Sequence, residues 1–173
     1  MSAVLRGRGL SGRILSSVRL ARELGRIRRH KTVVFTNGCF DLLHVGHLRV
    51  LNWAKRRGDI LVVALNSDAS VRRLKGARRP LLPLKDRAKL MASLRPVDYV
   101  TFFPEDTPAA LIRRLRPDVL VKGGDWSTDK IIGREHVRKI VRVPLAPGRS
   151  TSNTIETILK RYGKGEGPVT GDR

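Results

Sequence analysis

The sequence predicts a single α/β domain, with a mostly parallel five-stranded sheet and helices on both faces. Short apolar runs of the kind that form buried strands alternate with longer amphipathic segments. The 173 residues, 40% hydrophobic and 29% charged, are enough to bury one core. Polar and glycine-rich motifs follow the apolar runs, and the carboxyl ends of parallel strands are where α/β sheets bind ligands. The organisation is therefore that of a ligand-binding α/β domain.

The first 29 residues are predicted to form two different segments. Residues 1–12 are expected to be disordered, although residues 7–12 match the pattern G-x-G-x-x-G. That match carries no weight, because a dinucleotide site needs a strand before the glycines and there is no room for one. Residues 13–29 place apolar side chains at helical spacing among arginines, which predicts a leading amphipathic helix. An Arg-rich organellar targeting peptide is the alternative.

The main domain is predicted to run over residues 13–162, followed by a disordered tail at 163–173. Strands are predicted at residues 32–35, 60–65, 98–103, 119–121 and 140–145. A helix opens at a histidine pair and ends near Arg57, and further helices are predicted at residues 68–75, 83–94, 107–116, 129–139 and 152–161. This order is typical of a Rossmann-like fold.

Composition narrows the possible partners. The net charge of +21 raises the possibility of nucleic-acid binding. However, only 5% of the residues are aromatic and the charge is spread along the whole chain, so a basic surface on an enzyme with anionic substrates is favoured over nucleic acid. No apolar run approaches the roughly 20 residues that span a bilayer, so no membrane contact and a cytoplasmic location are expected. The single cysteine, Cys39, is interpreted as a small apolar filler; a nucleophile or a metal ligand is the alternative, which is disfavoured because no other cysteine accompanies it.

The most informative stretch runs from Thr36 to His47, between a strand and a helix. His44 and His47 are three residues apart at the helix start, where unpaired N–H groups favour anions. Gly46 lets a ligand approach the backbone. A metal site would need a third ligand, and none is evident, so phosphate contact is favoured. Asp41 is expected either to orient a histidine or to cap the helix.

Other candidate residues follow the later strands. Asn66 and Asp68 end the second strand, although a plain helix cap is the alternative. Lys122, Gly123 and Asp125 end the fourth. Further candidates are the basic residues Lys75, Arg79 and Arg87, and the hydroxyl cluster Ser150, Thr151 and Ser152.

Together these motifs resemble heptose-1-phosphate adenylyltransferases, the nucleotidyltransferase domain of ADP-heptose synthase, within the cytidylyltransferase-like nucleotidyltransferase superfamily. The H-x-G-H element marks the superfamily. The Thr-Asn-Gly-Cys-Phe-Asp stretch at 36–41 and the Val-Lys-Gly-Gly-Asp stretch at 121–125 point to the heptose branch.

The resemblance implies transfer of AMP from ATP to D-glycero-β-D-manno-heptose 1-phosphate, with Mg²⁺ bound to ATP and pyrophosphate released. It also implies a homodimer and, since many relatives carry a fused sugar kinase, a separate kinase upstream. The catalytic residues implied are His44, His47, Lys75 and Arg87. The nucleotide-binding residues implied are Thr36, Asn37, Gly38, Phe40, Gly46, Lys122, Gly123, Asp125, Ser150, Thr151 and Ser152. The substrate-binding residues implied are Asp41, Asn66, Asp68 and Arg79, with no protein metal site.

Two alternatives within the same fold remain open: a cytidylyltransferase for glycerol 3-phosphate or a similar alcohol phosphate, and an adenylyltransferase resembling FAD synthetase. A basic nucleic-acid-binding protein is the alternative from another class. An organellar enzyme with the same chemistry is the fourth.

Overall fold

The computed structural model describes residues 12–124, 131–144 and 150–163. Over these residues the sheet has six strands, all parallel, in the order β1-β4-β3-β2-β5-β6. The strands are β1 Arg13–Ile14, β2 Val33–Gly38, β3 Ile60–Asn66, β4 Tyr99–Phe103, β5 Val119–Gly123 and β6 Lys139–Val143. The helices are α1 Ser17–Ile27, α2 Val45–Lys55, α3 Asp68–Lys75, α4 Leu84–Ala92, α5 Ala109–Leu115 and α6 Thr151–Tyr162. The predicted single α/β domain is confirmed, with one strand more than expected.

The additional strand is β1, which the sequence had assigned to the leading helix. Arg13 and Ile14 pair with Tyr99 and Val100 of β4 instead. The helix begins only after Ser16, whose side chain accepts the N–H of Arg19 as an N-cap. This N-cap ends the extended segment that pairs with β4 and begins α1 three residues after Ile14.

The N-terminal segment also includes Gly12, which was expected to be disordered. Its N–H donates to the Ala92 carbonyl at 2.7 Å. A Cβ added to Gly12 would lie 2.8 Å from the Val97 carbonyl oxygen, so the chain passes too close for a side chain. The rest of the predicted disordered segments, residues 1–11 and 164–173, lies outside the described residues.

The helix predicted over 129–139 is wrong for the described part of that segment. Only a single 3₁₀ turn forms, at Arg134–His136. Gly133 before it has φ +87°, and a Cβ there would lie 2.5 Å from Ile112 Cδ1. This left-handed residue redirects the chain, and Lys139 already belongs to β6.

Two hydrophobic layers cover the sheet. Val33, Phe35 and Val62 pack on one face, in a cluster with residues of α1 and α5. Val34, Leu61 and Val63 pack on the other, in a cluster with residues of α2 and α4. Successive side chains along β2 and β3 join opposite clusters, and both strands are buried, which confirms helices on both faces.

This packing fixes the position of the ligand site. Because β2, β3 and β5 are parallel neighbours, their carboxyl ends meet at one edge of the sheet, where the loops that carry the motifs begin. Within the described residues, no helix has the length and apolar character needed to cross a bilayer.

Candidate active site

A cleft of about 470 Å³ opens at the carboxyl ends of β2, β3 and β5. The site residues predicted from the sequence that line it are Thr36, Asn37, Gly38, Phe40, Asp41, His44, Gly46, His47, Asn66, Lys75, Arg79, Lys122, Gly123, Ser150, Thr151 and Ser152. Arg87 and Asp68 do not line it. Asp125 lies outside the described residues. The fold therefore brings most of the candidate residues to one place.

The two histidines stack at the start of α2. Their ring centroids are 3.8 Å apart with planes at 21°, and Phe40, in a left-handed conformation with φ 44°, lies 4.9 Å from the His47 ring. The Nδ1 atoms of His44 and His47 are buried without a hydrogen-bond partner among the described residues. Burial lowers the pKa of His44, while burial and the neighbouring His44 lower the pKa of His47 to about 4. Both rings are therefore neutral near pH 7.

Two helix N-termini meet at the cleft. His44 precedes α2 without a side-chain cap, and the N–H of His47 donates to the His44 carbonyl at 2.9 Å, so the N–H groups of Val45 and Gly46 are the ones available to a ligand. Ser150 caps α6 by accepting the N–H of Asn153 at 3.1 Å, and Thr151 Oγ1 donates to the Leu42 carbonyl at 3.4 Å. Helix N-termini carry partial positive charge, which makes the space between them suitable for a chain of phosphates.

Lys122 brings a cation from β5 to the cleft. Its Nζ donates to Asn37 Oδ1 at 2.5 Å, which joins the ends of β5 and β2. Burial lowers the pKa of Lys122 to about 8. Because a neutral amide is its partner, the ammonium remains without a counter-ion among the described residues and can attract an anionic ligand.

Asp41, expected to contact the substrate, lines the cleft, and its carboxylate oxygens are engaged by the protein itself. It is 2% exposed, and its oxygens accept from the N–H groups of Leu81 (2.8 Å) and Leu82 (2.9 Å) and from Arg79 Nε (2.6 Å). Burial opposes ionisation, but these three donors outweigh it and lower the pKa of Asp41. Asp41 therefore neither orients a histidine nor caps α2. It fixes the segment that presents Arg79 to the cleft.

Arg87, expected to clamp phosphate, lies beneath the cleft and is 1% exposed. It donates to the carbonyls of Cys39 (2.6 Å), Asn66 (3.0 Å) and Leu82 (3.0 Å) and to Asp68 Oδ1 (2.6 Å). Asp68 also accepts the N–H of Leu84. These bonds join the ends of β2 and β3 to the residues before α4, which makes Arg87 a positioning residue in this structure and engages Asp68, which does not line the cleft.

Two residues that line the cleft were not among the candidates. Val50 follows His47 by three positions on α2, so the i,i+3 spacing was a usable signal for it. Cys39, interpreted as a filler, also lines the cleft, and burial raises the pKa of its thiol. For Cys39, nothing in the sequence gave a comparable signal.

The fold and the cleft define a nucleotide-binding α/β domain of the nucleotidyltransferase class, with H-x-G-H at the start of α2. The family model described as cytidylyltransferase-like matches residues 35–161, and the chain belongs to this family. The resemblance inferred from the motifs is confirmed.

Curated relatives are similar over most of the chain. Bifunctional protein HldE from Syntrophotalea carbinolica is 54% identical over 157 residues, which are 88% of this chain and 32% of the relative. Bifunctional protein HldE from Helicobacter hepaticus is 48% identical over 151 residues, which are 87% of this chain and 31% of that protein. The chain thus spans about a third of the length of these relatives.

Solved structures agree with the fold. The lipopolysaccharide core biosynthesis protein from Thermoplasma volcanium is 27% identical with a TM-score of 0.58, covering 67% of this chain and 98% of that one. Pantoate-beta-alanine ligase from Francisella tularensis is 15% identical with a TM-score of 0.55, covering 85% of this chain and 78% of that one. The second likeness concerns the fold only.

Proposed function

We propose that this chain transfers AMP from ATP to D-glycero-β-D-manno-heptose 1-phosphate, releasing pyrophosphate and forming ADP-heptose. The observation that carries the proposal is the meeting of two helix N-termini, a stacked pair of neutral histidines and a buried lysine in one cleft. The heptose branch is supported by the motifs at 36–41 and 121–125, and by the similarity to proteins named HldE.

In the proposed reaction an oxygen of the sugar 1-phosphate attacks the α-phosphorus of ATP. The new bond joins that oxygen to the α-phosphorus, and the bond from the α-phosphorus to the bridging oxygen of the β-phosphate breaks. Pyrophosphate leaves with that electron pair, and no covalent intermediate forms on the protein. Catalysis then depends on positioning and on stabilising charge at the transferring group.

The described residues suggest a role for each part of the cleft. His44 and His47 act as neutral donors to phosphate oxygens, together with the N–H groups that begin α2. Lys122 and Asn37 hold the nucleotide beside β5, and Ser150 to Ser152 approach the outer phosphates. Lys75, at the end of α3, and Arg79, in the loop after it, attract the acceptor phosphate.

Magnesium enters this proposal as part of the substrate. Within the described residues, no group of three or more His, Cys, Asp or Glu side chains could hold a metal ion. The part of the chain that the structure describes therefore supplies no cage for the ion, and MgATP is the form in which we expect it to arrive.

A phosphorylation reaction must supply the sugar 1-phosphate. It is catalysed either by a separate kinase or by a kinase domain in another part of a longer chain. We also propose a homodimer, which rests on the resemblance. A cytoplasmic location is proposed on the resemblance and on the use of ATP.

Pyrophosphate release tests the proposal. The purified protein receives ATP, CTP, GTP or UTP with Mg²⁺, each paired with β-heptose 1-phosphate or glycerol 3-phosphate. We expect release only with ATP and the heptose phosphate, and its loss in His47→Ala. The matched control is His30→Ala, an exposed histidine away from the cleft, which keeps full activity.

The other outcomes separate the alternatives. Release with CTP and glycerol 3-phosphate retains the fold and the site but replaces the substrates. No release with any pair, from a protein with a normal thermal transition, rejects the enzymatic proposal.

A further inference from the structure

A second concave surface lies at the opposite edge of the sheet from the candidate active site. A cleft of about 1190 Å³ opens at the amino ends of β2, β5 and β6, and Arg28, Lys31, Arg113 and Lys139 are among its lining residues. Two smaller depressions continue from it along β6. Lys139 and Ile140 line both of these depressions. The depression nearer to this second cleft also shares residues 137–138 with it. We call these joined depressions the basic groove.

Positive charge dominates the basic groove. Its cationic side chains are Arg28, Lys31, Arg57, Arg113, Arg116, Arg134, Arg138, Lys139 and Arg142. Asp118 and Glu135 are the acidic residues among its described lining. The basic groove therefore combines cations from the segment after α1, from α5 and from β6, which are far apart in the sequence.

The two carboxylates are already engaged. Asp118 accepts the N–H of Val33 at 2.9 Å and lies 3.6 Å from Arg28 and 3.8 Å from Arg138. Glu135 lies 3.5 Å from His136. In contrast, the exposed side chains of Lys31, Arg113 and Lys139 have no ion-pair partner within the described ranges. These three cations are therefore available to an anionic ligand.

The shape of the basic groove favours a linear ligand. The groove continues from the second cleft along β6, whose five residues extend about 16 Å. This length has room for several phosphates in a row. No Phe, Tyr or Trp is among its described lining residues, so it can contact a backbone but offers no stacking platform for bases.

We propose that the basic groove binds the phosphate backbone of a nucleic-acid strand, without reading its sequence. The even spread of charge along the sequence argued against such a partner, but the fold gathers distant cations on one surface. Because this surface is at the amino ends of the strands and the nucleotide cleft is at their carboxyl ends, both ligands can be bound together.

Fluorescence anisotropy with a labelled deoxythymidine oligonucleotide of about 20 nucleotides tests the proposal. If about five phosphates are neutralised, the logarithm of the association constant falls with a slope of about −3.5 against the logarithm of salt, so affinity drops about a hundredfold between about 50 and about 200 mM KCl. The double variant Arg113→Glu/Lys139→Glu should bind at least about tenfold more weakly at the lower salt concentration.

The matched control is Lys85→Glu/Lys89→Glu, which makes the same charge change on exposed positions of α4. It should bind within about twofold of the wild type, and both double variants should keep wild-type nucleotide turnover and thermal stability. Equal weakening by both pairs would show a response to net charge only and overturn the proposal. So would no oligonucleotide binding at about 50 mM KCl, or binding of inorganic polyphosphate without binding of the oligonucleotide.

Discussion

Replacing Arg87 with methionine distinguishes a positioning role from a phosphate clamp. Methionine retains much of the side-chain volume but removes every donor. The three carbonyls of Cys39, Asn66 and Leu82 then lose their guanidinium partner, and Asp68 loses its cation. Since the Arg87 side chain is 0% exposed, water does not replace it without rearrangement.

The expected cost follows from these contacts. Removing one partner of a buried ion pair costs about 3–5 kcal/mol, because the remaining groups are left desolvated and unpaired. The side chain of Asp68 is 32% exposed and can be partly rehydrated, so we expect about 3 kcal/mol, towards the lower end of that range. For a urea m-value of about 2 kcal/mol/M, the unfolding midpoint falls by about 1.5 M.

Urea unfolding followed by circular dichroism measures this shift. Lys85→Met is the matched control, because it removes a cation from an exposed position on the same helix. It should move the midpoint by less than about 0.3 M, as surface substitutions usually do. An Arg87→Met protein with an unchanged midpoint but a nucleotide KM raised about tenfold would refute the positioning role and restore the phosphate clamp.

Three further predictions concern single residues of the candidate active site. His47→Ala should lower kcat by about 10²–10³-fold, as loss of an oxyanion donor does, with an unchanged melting temperature; a change in KM only would contradict a transition-state role. The pKa of Lys122 is about 8, so its ammonium is lost above that pH and the KM for ATP should rise from about pH 7 to about pH 9. Lys122→Arg should abolish this rise, and a rise that persists in the variant would assign it to another group. Asp41→Asn should lower the free energy of unfolding by about 1–3 kcal/mol near neutral pH. Because the folded pKa of Asp41 is lowered, its charge stabilises the fold above the unfolded pKa, and the difference from wild type should shrink as pH falls through the folded value; a constant difference would contradict this.

The fold was largely predictable because its signals are local. The helix over residues 68–75 has the predicted bounds, since Ser67 caps it and Gly76 ends it. The strand at residues 13–14 was missed because two residues carry no periodicity, and its pairing with β4 joins positions far apart in the sequence. Local patterns therefore identified the elements that have their own start and stop signals.

The candidate site was predictable in its location but not in all its roles. Ligand sites lie at strand ends, so the sequence led to His44, His47 and Lys122. The role of a charged residue depends on what packs against it. Arg87 meets Asp68 across 19 residues, and Asp41 meets the N–H of Leu81 across 40 residues. No spacing rule connects such pairs.

These two buried networks explain how a cleft formed by loops can be preorganised for catalysis. The Asp41 network holds the segment that carries Arg79, and the Arg87 network ties the loops after β2 and β3 to the residues before α4. Transfer of a nucleotidyl group without a covalent intermediate depends on positioning, so supporting loops must be rigid before the substrates bind. The chain therefore uses some of its charged residues beneath the site to fix geometry, and leaves others in the cleft with charge available for phosphates.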